Sequence, residues 1–352
     1  MIMLLLACRP ANPEGSGLLK DSAWSFDTSS DSSGPDEPAE ILLSVADGQQ
    51  VLRLRFSDGL GSPPETVWAW DLAQDFPGRN HKPHGLSVEG ATILVTCFDY
   101  FTDTFVVRLD LATGELLDVP RPSPATAWAG DPSRDGLRAA HNAIRSEDGF
   151  LISDTHNHRI LAVGEDWELR WALTQETVGA DRYLRRWWSN INDVERIELD
   201  NEPRLLASAR GESFNHVLLF SPTEPLRPRD PTWVSLWRWP EVNDPDQLHE
   251  PHNPRPISGG FTIADSGNDR IRAFSWTGDD LWTFPDRGCP ESDFALDWPR
   301  DALLVTDRIL LISDSRGDKL VAVDLGAGSC LDDSTVLWTL PNLGGPYQVE
   351  RL

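Results

Sequence analysis

Ile152 to Ile160 reads Ile-Ser-Asp-Thr-His-Asn-His-Arg-Ile, and the pattern around this stretch recurs later in the chain. His141 precedes Asp154 by 13 residues, and Trp171 follows Asp154 by 17 residues. The same two offsets join three further residues, His252, Asp265 and Trp282. This double match indicates a repeated structural unit.

Within the unit, apolar and polar residues alternate as they do in β-strands. The turn residues Glu147-Asp148-Gly149 separate the first two strands that we predict. The four predicted strands are His141–Arg145, Phe150–Ser153, Arg159–Val163 and Leu169–Leu173. Four short strands in a repeat of about 40 to 45 residues are typical of a β-propeller blade.

Looser copies of the unit fill the rest of the chain and start at His84, Asn192 and Ala302. The first copy supplies only three strands, Glu40–Ala46, Val51–Phe56 and Val67–Trp70. The last six residues, Tyr347–Leu352, read like Asn192–Ile197, the predicted innermost strand of blade 4. We therefore predict an all-β, six-bladed β-propeller over residues 40–352, closed by the C-terminal strand pairing into blade 1.

The composition fits one acidic propeller domain. The chain has 352 residues, with 31 basic and 56 acidic side chains and a net charge of −25, which argues against nucleic-acid partners. We expect a monomer. Of the 15 Trp, several fall on the last strand of a blade, where we expect them to pack between blades: Trp70, Trp171, Trp237, Trp282 and Trp338.

The N-terminal segment predicts export. Leu5-Leu6-Ala7-Cys8 resembles the lipobox of bacterial lipoproteins, and this resemblance implies that residues 1–8 are a signal stub and that Cys8 carries the lipid. Residues 9–39 are rich in Ser, Asp and Pro and read as a disordered tether. We expect a protein of the periplasm or the outer cell surface that contacts the membrane only through its lipid anchor. The alternative is a chance apolar start.

The remaining cysteines are compatible with export. Cys97 lies in a predicted strand and is expected to be buried. Cys289 and Cys330 are the one plausible disulfide pair in an oxidising compartment. The connection between blades that holds Cys289 and the loop that holds Cys330 normally emerge on opposite faces of a propeller, which argues against the pair.

The candidate site is the circle of residues that begin the innermost strands. In a propeller these residues meet at one mouth of the central channel. Around the ring they are Tyr347, His84, His141, Asn192, His252 and either Arg300 or Asp301. Imidazoles that converge there are able to bind a metal, transfer a proton or act as nucleophiles. We assign no metal ligands, because His84, His141 and His252 lie on three non-consecutive strands whose separation across six blades argues against one shared ion, and the cofactor stays open.

Other cations are candidates for the same mouth. Arg210 occupies a comparable part of blade 4, and Arg270 follows Asp265 by five residues. The alternative for Arg270 is an ion pair with Asp265 inside its blade. Residues 180–188 form a basic, aromatic insert expected to overhang the mouth, in which Arg185, Arg186 and Trp187 suit a small anionic aromatic ligand. The alternative is that the insert packs as a plug.

Two family resemblances follow from these residues. Ser153–Ile160 and Ala264–Ile271 resemble the NHL repeat, a blade unit of six-bladed propellers. Glu250-Pro251-His252-Asn253, followed by Arg270, is similar to a segment of bacterial aryl-sulfate sulfotransferases, exported propellers that pass a sulfuryl group between phenols through a channel histidine. That resemblance implies that His252 and Arg270 neutralise the sulfuryl oxygens.

The chain departs from the sulfotransferase pattern at two blades. Blade 4 has Asn192 where the family has His, and blade 6 has Trp298-Pro299-Arg300-Asp301 where the nucleophilic His would stand. We therefore predict a lipid-anchored propeller that binds a small anionic or aromatic ligand, or a protein partner, at the channel mouth. The alternative is an enzyme, either sulfotransferase-like or metal-assisted, that uses the channel histidines.

Overall fold

The repeated unit is built as an antiparallel sheet of four strands, and the residues described contain six such sheets. The structure, a computed structural model, describes residues 39–99, 104–120, 136–174, 189–210, 215–222, 233–239, 247–286, 294–326 and 335–352. For residues 220–222 and 233–239 only the backbone is described. The predicted Cys8, Cys289, Cys330, Arg185, Arg186 and Trp187 lie outside the described residues.

The strands are numbered here in chain order. The first half of the chain holds β1 (Ala39–Val45), β2 (Gln50–Phe56), β3 (Glu65–Asp71), β4 (Lys82–Glu89), β5 (Thr92–Phe98), β6 (Thr104–Asp110), β7 (Leu116–Asp118), β8 (Ala140–Ser146), β9 (Gly149–Asp154), β10 (Arg159–Gly164) and β11 (Leu169–Thr174). The second half holds β12 (Ile191–Leu199), β13 (Glu202–Arg210), β14 (Asn215–Pro222), β15 (Trp233–Trp239), β16 (Pro251–Ile257), β17 (Gly260–Asp265), β18 (Arg270–Ser275), β19 (Asp280–Phe284), β20 (Pro299–Leu304), β21 (Ile309–Asp314), β22 (Lys319–Asp324), β23 (Val336–Pro341) and β24 (Pro346–Arg351). A short helix α1 (Leu72–Asp75) follows β3.

The ring closes through the C-terminal strand, as the sequence predicts. Blade 1 has the strand order β24-β1-β2-β3. Leu42 pairs with Glu350 and Leu43 with Val349, in antiparallel register. The closure gives β1 a partner on its inner side, so the first and last strands of the propeller share one sheet.

The aspartate of the repeated motif joins a blade to the chain segment that enters it. Asp154 is fully buried, and its carboxylate accepts hydrogen bonds from the Arg138 backbone N–H at 2.7 Å and from Arg159 Nε at 2.6 Å. Asp265 repeats the arrangement with the His249 backbone N–H at 2.6 Å and Arg270 Nε at 2.6 Å. The motif is therefore a structural tie within the blade.

The hydrophobic core is divided among the contacts between blades. One cluster joins Ile41, Leu43 and Val349 of blade 1 to Leu311 and Leu320 of blade 6. Similar clusters lie at the other contacts between neighbouring blades. Trp70, Trp171 and Trp338 are buried in these clusters, as expected for large rings on outer strands.

No helix among the residues described is both long and apolar enough to cross a membrane.

Candidate functional site

A bulge lifts the mouth residues out of the strand ladders. The register shifts between Ala140 and Asn142 around His141, and between Pro299 and Asp301 around Arg300. Equivalent shifts surround His84 in β4 and Asn192 in β12, whereas the shift in β16 lies just after the mouth residue, between His252 and Arg255. Bulges of this kind turn a side chain away from the sheet. Each of these strands begins one to three residues earlier than predicted, and the mouth residues are second or third in their strands.

A left-handed residue precedes the mouth position by two residues in five blades. These residues are Ala139, Asn190, Glu250, Trp298 and Gly345, with φ between 42° and 74°. The carbonyl of Ala139 accepts a hydrogen bond from His141 Nδ1 at 2.7 Å, and that of Glu250 accepts one from His252 Nδ1 at 2.7 Å. The unusual backbone therefore fixes two of the three imidazoles.

Hydroxyl groups on the second strands hold neighbouring blades together at this level. Ser44 Oγ donates to the His84 carbonyl at 2.6 Å, and Thr96 Oγ1 donates to the His141 carbonyl at 2.8 Å. Ser153 Oγ donates to the Asn192 carbonyl at 3.2 Å. Each hydroxyl therefore fixes the backbone of the mouth residue in the next blade.

Two imidazoles and a phenol ring form one aromatic cluster. The ring centroids of His84 and His141 are 5.3 Å apart, and those of His84 and Tyr347 are 3.9 Å apart. Phe98 lies below both imidazoles, 3.9 Å from His84 and 4.7 Å from His141. Residues from three blades thus meet at the axis, as the sequence predicts.

His84 is the imidazole whose hydrogen-bonding groups are unused. It is 2% exposed, and within the part of the chain described neither ring nitrogen has a hydrogen-bond partner. Burial, together with electrostatic interactions with His141 and Arg300 that oppose protonation, lowers the pKa of His84 well below its ordinary value. The ring is therefore neutral at pH 7.

His252 belongs to the same mouth through Arg300. Its Nδ1 lies 2.8 Å from Ser266 Oγ as well as near the Glu250 carbonyl, so Nδ1 carries the proton and Nε2 the lone pair. Arg300 Nη1 donates to this Nε2. The Arg300 guanidinium also lies 5.1 Å from the Tyr347 ring centroid, which connects His252 to the aromatic cluster.

Three charged side chains lie next to the buried imidazoles. Arg210, Arg300 and Glu250 are half-buried, and Arg210 forms an ion pair with Glu250. Burial and the charges of Arg300 and Arg210 lower the pKa of His252 well below its ordinary value, and the same three causes act on the pKa of His141. Both guanidinium groups therefore lie close enough to act on the same two rings.

The predicted residues differ in their surroundings. The choice left open at blade 6 falls on Arg300, because Asp301 instead binds Arg255 deeper in the channel. Asn192 is buried, and its Nδ2 donates to the Pro251 carbonyl at 3.4 Å. Arg270 makes the alternative ion pair with Asp265 inside its blade, and lies two strands out from β16.

Sequence reasoning did not assign a role to three residues of the mouth. Glu250 was noted only as part of a motif, Phe98 ends β5 without a distinctive signal, and Ser266 stands in the NHL-like stretch. Their contacts depend on bulges and on left-handed backbone conformations. Ala, Glu and Trp rarely adopt such a conformation, so these residue types do not indicate it in a sequence. His158, in the turn between β9 and β10, accepts the Asn190 backbone N–H at 2.9 Å.

About three residues further along the innermost strands, roughly 10 Å from the mouth, the channel is lined by an arginine and several carboxylates. There Arg255 of β16 donates to Asp301 at 2.9 Å, Glu195 at 2.9 Å and Glu350 at 3.1 Å. A cavity of about 180 Å³ adjoins this cluster, lined by Leu86, Ser87, Ile144, Arg145, Glu195, Arg196, Arg255 and Glu350. Burial raises the pKa of Asp193, the residue after Asn192 in β12, to about 7.

Among the residues described, no group of three or more His, Cys, Asp or Glu side chains is arranged to hold a metal ion.

Comparison with known proteins identifies the fold. No protein-family model and no curated protein matches the chain. A nidogen–laminin complex matches with a TM-score of 0.56 and 12% identity, over 88% of this chain and 97% of that chain. A periplasmic gluconolactonase of Pseudomonas aeruginosa matches with a TM-score of 0.55 and 12% identity, over 90% and 99%. A putative 6-phosphogluconolactonase of Bacteroides fragilis gives 0.54 and 12%, over 92% and 100%.

Identities this low show the fold alone. The resemblances to NHL repeats and aryl-sulfate sulfotransferases stay predictions. The chain is a six-bladed β-propeller closed by its C-terminal strand, and it shares this fold with nidogen and gluconolactonase propellers.

Proposed function

We propose that this propeller binds a small anionic ligand at the channel mouth, over Arg300, Arg210 and His252. The observation that carries the proposal is that Arg300 of blade 6 donates to the His252 imidazole of blade 5, while Arg210 of blade 4 pairs with Glu250, two residues before His252. The chain has a net charge of −25, so arginines gathered at the channel mouth are opposite in charge to the protein as a whole.

The chemistry of the mouth suits an anion with an aromatic body. Guanidinium N–H groups make strong charge-assisted hydrogen bonds to sulfate, phosphate or carboxylate oxygens. Arg300 also lies 5.6 Å from the ring of half-buried Trp298, so an aromatic surface adjoins the cation. Neutral His252 accepts a hydrogen bond from Arg300 at Nε2, so it orients this guanidinium without adding charge.

Calorimetric titration with 4-nitrophenyl sulfate tests the proposal. We expect saturable binding to the full chain at low salt, and about tenfold weaker binding by Arg300→Gln because one charge-assisted contact is removed. The matched control is Arg308→Gln, an exposed arginine of the same blade that pairs with Asp324. Equal affinity of the wild type and Arg300→Gln would remove the proposed site.

A second candidate is catalysis by the channel histidines. His141 Nδ1 is held by the Ala139 carbonyl, and the lowered pKa keeps the ring neutral, so Nε2 is available as a base or nucleophile. The same titrant, 4-nitrophenyl sulfate, reports turnover as released nitrophenol when a phenol acceptor is added. Turnover that disappears in His141→Asn would favour the sulfotransferase-like enzyme over a binding protein.

Export by a lipid anchor at Cys8 is part of the proposal. The support is the lipobox-like sequence Leu5-Leu6-Ala7-Cys8 together with a polar segment between it and the propeller. Expression in a bacterium with labelled palmitate would show incorporation of label that is lost in Cys8→Ser. An unlabelled wild-type protein would contradict the anchor.

A further inference from the structure

Glu250 takes part in the mouth through two separate groups. Its backbone has a φ of 54°, and its carbonyl accepts the hydrogen bond that fixes His252. Its carboxylate pairs with Arg210 of the preceding blade. The main chain of Glu250 therefore holds the His252 imidazole, and its side chain pairs with the Arg210 guanidinium.

The two arginines of the mouth differ in what they bind. Arg300 donates to the neutral ring of His252. Arg210 is paired with a carboxylate, whose side chain is 30% exposed against 20% for Arg210. An ion pair that solvent reaches is weak, and another anion is able to replace it.

A carboxylate on Arg210 has the chemistry of the proposed ligand. It presents oxygen acceptors to a guanidinium, as a sulfate, sulfonate or carboxylate ligand would. A ligand that engages both arginines must compete with Glu250 for Arg210. The side chain of Glu250 is able to leave while its carbonyl continues to hold His252, because the two groups rotate about different bonds.

We infer that Glu250 is an internal competitor that occupies Arg210 in the empty mouth and is displaced when an anion binds; this inference rests on the proposed function. The displaced carboxylate stays near the bound ligand and repels it. Glu250 therefore lowers affinity for all anions and disfavours doubly charged anions more than singly charged ones.

The test is titration of Glu250→Gln with two probes, 4-nitrophenyl sulfate as the monoanion and inorganic sulfate as the dianion. We expect affinity for the monoanion to rise about threefold to tenfold, and affinity for sulfate to rise more. The matched control is Asp118→Asn, which removes the carboxylate partner of Arg108 at the outer edge of blade 2. Unchanged or weaker binding by Glu250→Gln would overturn the inference.

The wild-type chain provides a second readout that needs no variant. The carboxyl carbon of Glu250, observed by NMR, is expected to shift as sulfate is added, because it loses its guanidinium partner. A signal that stays fixed while the probe binds would also overturn the inference. Failure of the proposed function is distinguishable, because then neither the wild type nor Glu250→Gln binds either probe.

Discussion

At the residue scale, the imidazoles of the mouth differ in how they are held. His141 and His252 are fixed by backbone carbonyls at 2.7 Å, whereas His84 is held by the rings of Phe98 and Tyr347. A buried polar ring without partners costs free energy that a bound ligand or water would recover. His84 is therefore the mouth imidazole that has both ring nitrogens left for a ligand or water.

Gly85 allows the approach of the two imidazole strands. A Cβ at this position would lie 2.5 Å from the His141 carbonyl oxygen and 2.7 Å from Asn142 Cα, both backbone atoms. We predict that Gly85→Ala lowers the free energy of unfolding by about 1 to 3 kcal/mol, since blades 2 and 3 must separate. Denaturant titration measures this, with Gly61→Ala as the control because nothing lies within 4 Å of that Cβ. Equal stability of the two variants would contradict the close approach.

The raised pKa of Asp193 makes the free energy of unfolding depend on pH, and it fixes the direction of that dependence. Burial raises the pKa of its carboxyl from 3.8 to about 7, against the lowering effects of Arg255 and Asn142. A carboxyl whose pKa is higher in the folded state stabilises the fold below 3.8 and loses that contribution as the pH rises to about 7. The free energy of unfolding of Asp193→Asn minus that of the wild type should therefore grow by up to roughly 1.4 kcal/mol per pH unit in this window and level off above it.

Chemical denaturation of both proteins at several pH values between 5 and 8.5 measures the difference. Asp118→Asn is a control, because Asp118 is exposed and pairs with Arg108 at the protein surface. A difference that is constant across this range would show that Asp193 is not the titrating group.

At the element scale, the sequence predicted the parts of the blades that obey a period. The offsets around Asp154 and Asp265 located two blades, and the likeness of Tyr347–Leu352 to Asn192–Ile197 located the closing strand. The period did not predict the bulges at the mouth, because an extra residue in one strand leaves the alternation on either side intact. The sequence therefore listed residues near the starts of the innermost strands, but it did not predict which of them contact one another.

The closing strand β24 should be essential for the ring. Its Gln348 exchanges hydrogen bonds of 3.0 Å with the backbone of Leu86 in blade 2, and Val349 is buried between blades 1 and 6. We predict that a chain lacking residues 346–352 self-associates, because the edge of β1 is left open. Analytical ultracentrifugation measures this, and a synthetic peptide of residues 346–352 should restore the monomer. A truncated chain that stays monomeric with an unchanged Tm would contradict the role of the closure.

At the scale of the whole molecule, the channel separates two charged regions. Arg210 and Arg300 lie at the mouth, and one arginine with three carboxylates, Arg255 with Asp301, Glu195 and Glu350, lies deeper. The composition predicted an acidic chain but not this segregation, because charges distant in sequence meet only after the ring closes. The segregation favours anions at the mouth over the deeper channel.

Anomalous diffraction from crystals soaked in bromide tests the central claim most directly, because it locates an anion without assuming a ligand. The account predicts a bromide peak within hydrogen-bonding distance of the Arg300 and Arg210 guanidinium groups and beside His252, and loss of that peak in Arg300→Gln crystals. Bromide peaks confined to other surfaces, with the mouth empty in the wild type, would contradict it.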